Sequence, residues 1–239
     1  MKNLIIASTS TLHGGGYLGY LLPELKILFK NCKSIIFIPY ARPGGISEDE
    51  YTEKVTTVFS TLNINVTGLQ EFENPKKALL EAEGIFTGGG NTFLLVAKLY
   101  ENKVMDVLAD VIHSGIPYLG TSAGSNITGI SMQTTNDMPI VYPPSFKTLG
   151  IIPFNFNPHY LDADLQSKHM GETRETRIKE FHAFNSIPVL GLREGSWLDV
   201  KGEEIILKGT LTARLFKQNE NTVEITSGSN LGNKKNLTN

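Results

Sequence analysis

Short apolar runs recur along the chain, and helical patterns separate them. The runs are apolar nearly throughout, without polar alternation, which is typical of strands buried on both faces of a parallel sheet. Strands that alternate with helices predict an α/β fold with right-handed crossovers. The predicted strands are residues 4–7, 35–39, 65–69, 85–87, 117–120 and 188–192.

Three helical stretches lie between these strands. The sequence Ser-Glu-Asp-Glu at residues 47–50 is a capping box, and it begins a helix that places Tyr51 on its apolar face. A second helix covers residues 75–83. A third runs over residues 91–112 and is expected to break near residues 101–102.

The pattern predicts one α/β domain over residues 1–226, three-layered and doubly wound around a mostly parallel sheet. From Ser227 onward only two side chains are apolar, so residues 227–239 are predicted to form a polar, disordered tail. In parallel sheets ligands bind beyond the carboxyl ends of the strands, and the residues that follow each apolar run are therefore the candidates for a site.

Composition narrows the class of protein. The chain has 239 residues, with 22 Lys and Arg against 24 Asp and Glu, a net charge of -2. This balance argues against nucleic-acid and membrane partners, and no apolar run approaches the roughly 18 residues that span a bilayer. Its one cysteine cannot form an internal disulfide, which favours a reducing compartment. These features predict a cytoplasmic protein.

The strongest chemical signal is Gly-Thr-Ser-Ala-Gly at residues 120–124, directly after a predicted strand. It matches the G-x-S-x-G nucleophile elbow, in which a sharp turn exposes the serine, here Ser122. The N–H of Ala123 would lie at a helix N-terminus, where it can stabilise developing negative charge. The alternative is an ordinary glycine-rich turn.

A serine nucleophile needs a base, and His159 has the best context among the five histidines. It follows an apolar run, and a proline fixes its approach. His113 lies at the polar end of a helix. His169 and His182 flank a charged helical segment at residues 172–184 and are predicted to face solvent.

Two carboxylates compete to orient the imidazole of that base. Asp137 precedes a proline, and the simpler interpretation of it is an Asx turn. Glu194 directly follows a predicted strand, and the simpler interpretation of it is a surface carboxylate paired with Arg193. The residues alone leave this choice open.

Glycine segments and arginines supply the remaining candidates. Gly89 and Gly90 belong to a triple-glycine run after the strand at 85–87, where backbone N–H groups can form an anion-binding nest. A second run, His-Gly-Gly-Gly at residues 13–16, resembles an esterase motif but has the weaker context. Arg174 and Arg177 share one helix face, either as solvated charges or as a clamp for a substrate carboxylate.

Together these motifs resemble peptidase E, the α-aspartyl dipeptidase family of serine peptidases, whose wider relatives include cyanophycinase. The resemblance covers nearly the whole chain, to about residue 226. It implies a class I glutamine-amidotransferase-like fold and hydrolysis of dipeptides with an N-terminal aspartate, with no metal or other cofactor. The segments that carry it are residues 8–12, 37–41, 88–93, 122–124, 134–140, 157–159 and 171–174.

The resemblance also implies roles. Ser122 matches the nucleophile and His159 the base; Asp137 matches the residue usually assigned to the relay, and Glu194 matches a carboxylate with its own claim to that role. Thr121 departs from the family pattern, since relatives can carry a bulky aromatic there.

The expected oxyanion donors are the N–H groups of Ala123 and of Gly89 or Gly90, and Arg174 is expected to bind the β-carboxylate of the substrate. The predicted partner is a small Asp-X peptide, and the chain is expected to be a monomer or a homodimer.

Three other functions remain open at this stage. A cyanophycinase-like peptidase is one. A general esterase would need Ser122, Asp137 and His159 in that order, but the 22 residues from Asp137 to His159 leave little room for the usual elements. The non-enzyme alternative is an anion-binding regulatory module that uses the glycine nest.

Overall fold

Eleven strands form two β-sheets within residues 1–164, 166 and 170–232, the part of the chain that the computed structural model describes. The strands are β1 (Asn3–Ala7), β2 (Ser34–Ile38), β3 (Asn65–Gly68), β4 (Ile85–Thr87), β5 (Tyr118–Thr121), β6 (Asn155–Pro158), β7 (Val189–Leu192), β8 (Trp197–Lys201), β9 (Glu204–Lys208), β10 (Ala213–Phe216) and β11 (Val223–Ile225).

Helices connect most of the parallel strands. The capping box begins α2 as predicted, because the Ser47 hydroxyl accepts the N–H of Glu50 while the Glu50 carboxylate accepts the N–H of Ser47. The α-helices are α1 (Leu22–Leu28), α2 (Glu48–Ser60), α3 (Pro75–Leu80), α4 (Thr92–Glu101), α5 (Met105–Ser114), α6 (Ala123–Asn126) and α7 (Arg174–His182), and short 3-10 turns occupy Gly19–Leu21 and Leu69–Glu71.

The larger sheet has seven strands in the order β3-β2-β4-β5-β1-β8-β9. The first five are parallel, and β8 and β9 add an antiparallel edge. The carboxyl ends of β4, β5 and β1 therefore meet at one edge of the sheet. Three chain segments, which begin at Gly88, Ser122 and Ser8, leave the sheet side by side at that edge.

Both faces of this sheet are buried. Along β1, Leu4 and Ile6 pack into a core with α3, α4 and α5, while Ile5 and Ala7 pack into a second core with α1 and α2. Alternate residues of a strand point to opposite faces, so helices cover the sheet on both sides. The predicted three-layer, doubly wound α/β fold with a mostly parallel sheet is confirmed.

The predicted strand at 188–192 is present as β7, but it lies in a second sheet. This four-stranded sheet has the order β11-β10-β7-β6, and only β6 and β7 are parallel in it. A local apolar pattern identifies a strand without identifying its partners. The carboxyl ends of β6 and β7 carry His159 and Glu194, so this sheet supplies its own part of the site.

The predicted break in the third helix is confirmed, because α4 ends at Glu101 and α5 begins at Met105. The predicted tail requires a correction. The N–H of Leu231 donates to Ile205 O at 2.7 Å and the N–H of Leu207 to Ser229 O at 3.0 Å. Residues 227–232 thus lie along β9 with Leu231 buried, because one apolar side chain anchors them in the core. The remainder, 233–239, lies outside the described residues.

No helix within the described part of the chain is long and apolar enough to cross a membrane.

Candidate active site

Ser122 sits at the turn between β5 and α6, as the G-x-S-x-G pattern predicts. Its backbone has φ 53° and ψ -110°, a combination that L-residues rarely adopt and that costs roughly 1–3 kcal/mol. The turn is held in place because the N–H of Ser122 donates to Ala7 O on the neighbouring strand at 3.2 Å. The hydroxyl is thereby fixed at the carboxyl end of the sheet, where it can meet a base from another element.

His159 follows β6 directly and lies within hydrogen-bond distance of this hydroxyl. Its Nε2 is 2.8 Å from Ser122 Oγ. The backbone of His159 also has a positive φ of 53°, and its N–H donates to the hydroxyl of Ser8 at 2.9 Å. Ser8 is fully buried at the end of β1 and donates in turn to Leu192 O at 2.7 Å. One serine hydroxyl thus links the ends of β6 and β7 to the large sheet.

Glu194, two residues beyond β7, contacts the other ring nitrogen of His159. Its Oε1 lies 2.6 Å from Nδ1, and about half of the Glu194 side chain is exposed. An Nδ1–H that donates to this carboxylate leaves the lone pair of Nε2 free to accept the proton of Ser122. Ser122, His159 and Glu194 therefore form one continuous hydrogen-bonded row.

The simpler interpretation of Glu194, a pair with Arg193, does not describe the structure. Arg193 turns away and forms two hydrogen bonds with Asp162, at 2.7 and 2.8 Å, and two with Glu224, at 3.1 and 3.0 Å. These contacts lower the pKa of both acidic partners, chiefly through the hydrogen bonds from Arg193. The Glu194 carboxylate therefore contacts His159 and not Arg193.

Asp137, the rival carboxylate, lies at the N-terminus of α4. Its Oδ2 accepts the N–H of Thr92 at 2.7 Å, the hydroxyl of Thr92 at 2.5 Å and the hydroxyl of Thr135 at 2.9 Å. Among the described residues no hydrogen bond joins it to His159. Asp137 is thus placed where a carboxylate satisfies a free N–H and interacts favourably with the helix dipole.

The glycine segment at 88–90 lies against Ser122. A Cβ on Gly89 would come within 2.9 Å of Ser122 Cβ, and one on Gly90, which has φ 148°, would come within 2.2 Å of Ala41 O. Side chains at these two positions would clash, so glycine is required for this close approach. The rival segment at residues 13–16 is an exposed turn.

The two predicted glycine donors differ in availability. The N–H of Gly89 donates to Tyr51 Oη at 3.1 Å. The N–H groups of Gly90 and Ala123 have no hydrogen-bond acceptor among the described residues. Of the two predicted glycine donors, only the N–H of Gly90 is thus left without an acceptor in the described part of the chain.

Arg174 is the first residue of α7 and is half-buried. Burial and the neighbouring Arg177 lower the pKa of its guanidinium, and the charge of Asp137 acts in the opposite direction. Within the described residues Arg174 forms no ion pair, whereas Arg177 lies 3.9 Å from Glu172. A half-buried cation with no ion-pair partner among the described residues is suited to binding a substrate carboxylate.

The other histidines that the structure describes take no part in this arrangement. His113 Nδ1 lies 2.9 Å from Ala109 O at the end of α5. The prediction that His182 faces solvent is wrong, because it is buried and its Nε2 lies 3.0 Å from Ile187 O. A charged helical segment still has one face in the core. His169 lies outside the described residues.

Sequence reasoning assigned no role in the site to three residues that support it. Ser8 follows the end of β1, so the rule that sites gather at carboxyl strand ends pointed to it. Thr92 holds Asp137, and the sequence indicates it only by its place near a helix N-terminus and in the segment 88–93 that carries the resemblance. Tyr51 was placed on the apolar face of α2, and nothing in that pattern shows that its hydroxyl reaches the glycine segment.

The chain is similar to known proteins over most of its length. Residues 4–208 match the model of peptidase family S51. The chain is 47% identical to "Probable alpha-aspartyl dipeptidase" of Drosophila melanogaster, over 94% of this chain and 93% of that protein. It is 45% identical to "Peptidase E" of Streptomyces coelicolor, over 96% and 93% of the two chains.

A solved structure shares the fold at lower identity. The crystal structure of a peptidase from an acI-B1 Actinobacterium matches with a TM-score of 0.69 and 16% identity, and the match covers 97% of this chain and 96% of that chain.

Proposed function

The chain belongs to peptidase family S51, and on that premise we propose that it is a serine dipeptidase that hydrolyses dipeptides with an N-terminal aspartate. The observation that carries the proposal is the row from Ser122 Oγ through the His159 ring to Glu194 Oε1, with separations of 2.8 and 2.6 Å. The substrate class is taken from a relative that is named an alpha-aspartyl dipeptidase.

The first half of the reaction forms an aspartyl-enzyme. Ser122 Oγ attacks the carbonyl carbon of the aspartyl residue while His159 Nε2 takes the hydroxyl proton. Glu194 holds the ring through Nδ1–H and stabilises the imidazolium that forms. The C–N bond then breaks, and the leaving amine takes the proton from Nε2. The second amino acid departs as a neutral amine.

Negative charge develops on the carbonyl oxygen during the attack. The N–H groups of Ala123 and Gly90 are the donors that we assign to this oxyanion, since both lack other acceptors in the described part of the chain. Donors fixed by backbone geometry need no reorganisation as the charge appears, and one such donor is typically worth about 3–4 kcal/mol.

The second half releases aspartate. Water attacks the ester carbonyl, His159 Nε2 takes a proton from it, and the Ser122 Oγ–carbonyl bond breaks with return of that proton to the serine. We assign the β-carboxylate of the substrate to Arg174, because its guanidinium is half-buried and free of ion pairs with the described residues. Bidentate geometry would then distinguish aspartate from uncharged residues.

The test is hydrolysis of Asp-Leu by wild type and by Ser122→Ala. We expect kcat to fall by at least about 10⁴-fold in the variant, because no other described group replaces the nucleophile. Ser60→Ala, which removes an exposed serine hydroxyl from α2, is the matched control and should retain wild-type kcat. Circular dichroism checks that all three proteins fold.

Further measurements on the same proteins separate the alternatives. Residual turnover above about 1% in Ser122→Ala would contradict the assignment of the nucleophile. Cleavage of simple acyl esters without cleavage of Asp-Leu would indicate a general esterase. Lack of labelling of Ser122 by a fluorophosphonate would indicate the anion-binding module.

A further inference from the structure

Tyr51 lies beneath the glycine segment and is almost fully buried. Its ring packs edge-on against Phe37, with 4.8 Å between the ring centroids. A Cβ on Gly88 would come within 2.6 Å of Tyr51 Oη, so the segment rests directly on the hydroxyl. Gly89 of the same segment lies against Ser122, since a Cβ there would come within 2.9 Å of Ser122 Cβ. The glycine segment therefore contacts both Tyr51 and Ser122.

The hydroxyl of Tyr51 uses its full hydrogen-bonding capacity. It accepts the N–H of Gly89 at 3.1 Å, donates to the carbonyl oxygen of Gly89 at 3.3 Å, and accepts the hydroxyl of Tyr17 at 3.4 Å. A phenol has one donor and two acceptor sites, and these three contacts match them. Both polar groups of one glycine are thus bound by one side chain.

This contact determines the orientation of the next peptide unit. The carbonyl of Gly89 and the N–H of Gly90 belong to one planar trans peptide, so they point in opposite directions. A hydroxyl that holds the carbonyl on the Tyr51 side keeps the N–H of Gly90 on the other side. Glycine would otherwise allow this peptide to rotate at little cost.

We propose that Tyr51 is a positioning residue for the oxyanion site, whose hydroxyl fixes the Gly89–Gly90 peptide so that the N–H of Gly90 faces the reacting carbonyl. The proposal rests on the proposed function of Ser122 and of the Gly90 donor. Tyr51 touches no reacting atom and acts through the backbone that it holds.

The variant Tyr51→Phe removes the hydroxyl and keeps the ring against Phe37. We expect kcat for Asp-Leu to fall about 10- to 100-fold, less than or comparable with the loss of an oxyanion donor, while KM changes by less than about twofold. Tyr17→Phe is the matched control. It removes only the 3.4 Å contact with Tyr51 and should retain kcat within about twofold.

A second measurement separates positioning from general loosening of the fold. A fluorophosphonate reacts when Ser122 Oγ forms a bond to phosphorus, fluoride leaves and His159 takes the proton, so its rate reports on the site without any peptide substrate. We expect Tyr51→Phe to slow this labelling by about the same factor as kcat, with the affinity for the product aspartate unchanged.

The outcomes are distinct. Labelling and turnover at wild-type rates in Tyr51→Phe would overturn the proposal, and so would a loss of turnover that is matched by lost aspartate affinity. If wild type is labelled but cleaves no Asp-X dipeptide, the proposed function fails; slower labelling of Tyr51→Phe would then still support the positioning role, and unchanged labelling would overturn it.

Discussion

Two carboxylates, Asp137 and Glu194, are the candidates to orient His159, and their surroundings differ in almost every respect. The oxygen Oδ2 of Asp137 receives three hydrogen bonds from Thr92 and Thr135 at the start of α4. Glu194 stands half-exposed beyond the end of β7, and its hydrogen bond goes to an imidazole nitrogen. In the sequence both residues are candidates to orient the imidazole of His159. Their hydrogen-bond partners in the structure distinguish them.

The difference shows how environment assigns a role to a carboxylate. The Oδ2 oxygen of Asp137 accepts three hydrogen bonds, two of them from Thr92 at the start of α4, so we expect this carboxylate to stabilise the fold. In the proposed reaction Glu194 contacts a ring whose charge changes, and its negative charge stabilises the imidazolium most. The variants below test this contrast.

The largest effect is expected from Glu194→Gln. The glutamine amide can present its NH₂ to Nδ1, which favours the tautomer with the proton on Nε2 and leaves no acceptor for the proton of Ser122. We expect kcat for Asp-Leu to fall by about 10²- to 10⁴-fold, and thermal unfolding to change little because the side chain is half-exposed.

Glu81→Gln is the matched control for that change. Glu81 is an exposed carboxylate paired with Lys77 at 3.9 Å, and its loss should leave kcat unaltered. A Glu194→Gln variant with more than about a tenth of wild-type kcat would show that Glu194 does not orient His159 in the reaction, and would contradict the contrast with Asp137.

Only part of the candidate site could be predicted from the sequence. The G-x-S-x-G turn is a local motif, and it predicted Ser122 because a strand, a strained turn and a helix follow one another in sequence. The pairing of His159 with Glu194 depends on β6 and β7 lying parallel in a second sheet. Strand partners are set by tertiary packing, which an apolar run does not encode.

The core could also be predicted, because it too depends on a local pattern in the sequence. Apolar runs such as residues 4–7 are buried on both faces, and that pattern belongs to each strand separately. Tyr51 shows the limit. Helix periodicity placed its ring in the core, but its hydroxyl acts on Gly89, which lies 38 residues away in sequence. Hydrophobic periodicity carries no information about side-chain contacts between residues so far apart in sequence.

Asp137→Asn should have the opposite profile to Glu194→Gln. The amide keeps the size of the side chain but loses the charge that accepts three donors at the start of α4. We expect the free energy of unfolding to fall by about 1–3 kcal/mol, and kcat to fall by less than about tenfold. Urea denaturation and Asp-Leu hydrolysis measure the two quantities.

Glu50→Gln offers a matched control, since Glu50 is an exposed carboxylate at the N-terminus of α2. Its loss should cost less stability than that of Asp137 and leave kcat unchanged. An Asp137→Asn variant with wild-type stability and a kcat as low as that of Glu194→Gln would indicate that Asp137 acts in the reaction and not in stability.

The smallest expected effect is the loss, at low pH, of the ion pairs that hold the segment beside Glu194. The donors around Asp137 are neutral, whereas the segment beside Glu194 is held by ion pairs of Arg193 with Asp162 and Glu224. Hydrogen bonds from Arg193 hold the pKa of each partner below its ordinary value. A group with a depressed pKa in the fold stabilises it fully above its ordinary pKa, and this contribution is lost as the pH falls through the depressed value.

Arg193→Met should therefore destabilise the fold at pH 7 and lose this effect in acid. Both carboxylates are about half-exposed, so screening limits the difference to about 1 kcal/mol at pH 7, and it should shrink steadily below about pH 4. Urea denaturation of both proteins at pH 7, 5 and 3.5 measures the trend. Arg177→Met, which loses a 3.9 Å contact between exposed side chains and a repulsion with Arg174, should show no such trend. A difference between Arg193→Met and wild type that is the same at all three pH values would mean that the ion pairs do not hold the segment beside Glu194, and that the arginine stem and its hydrogen bonds to Thr212 hold it.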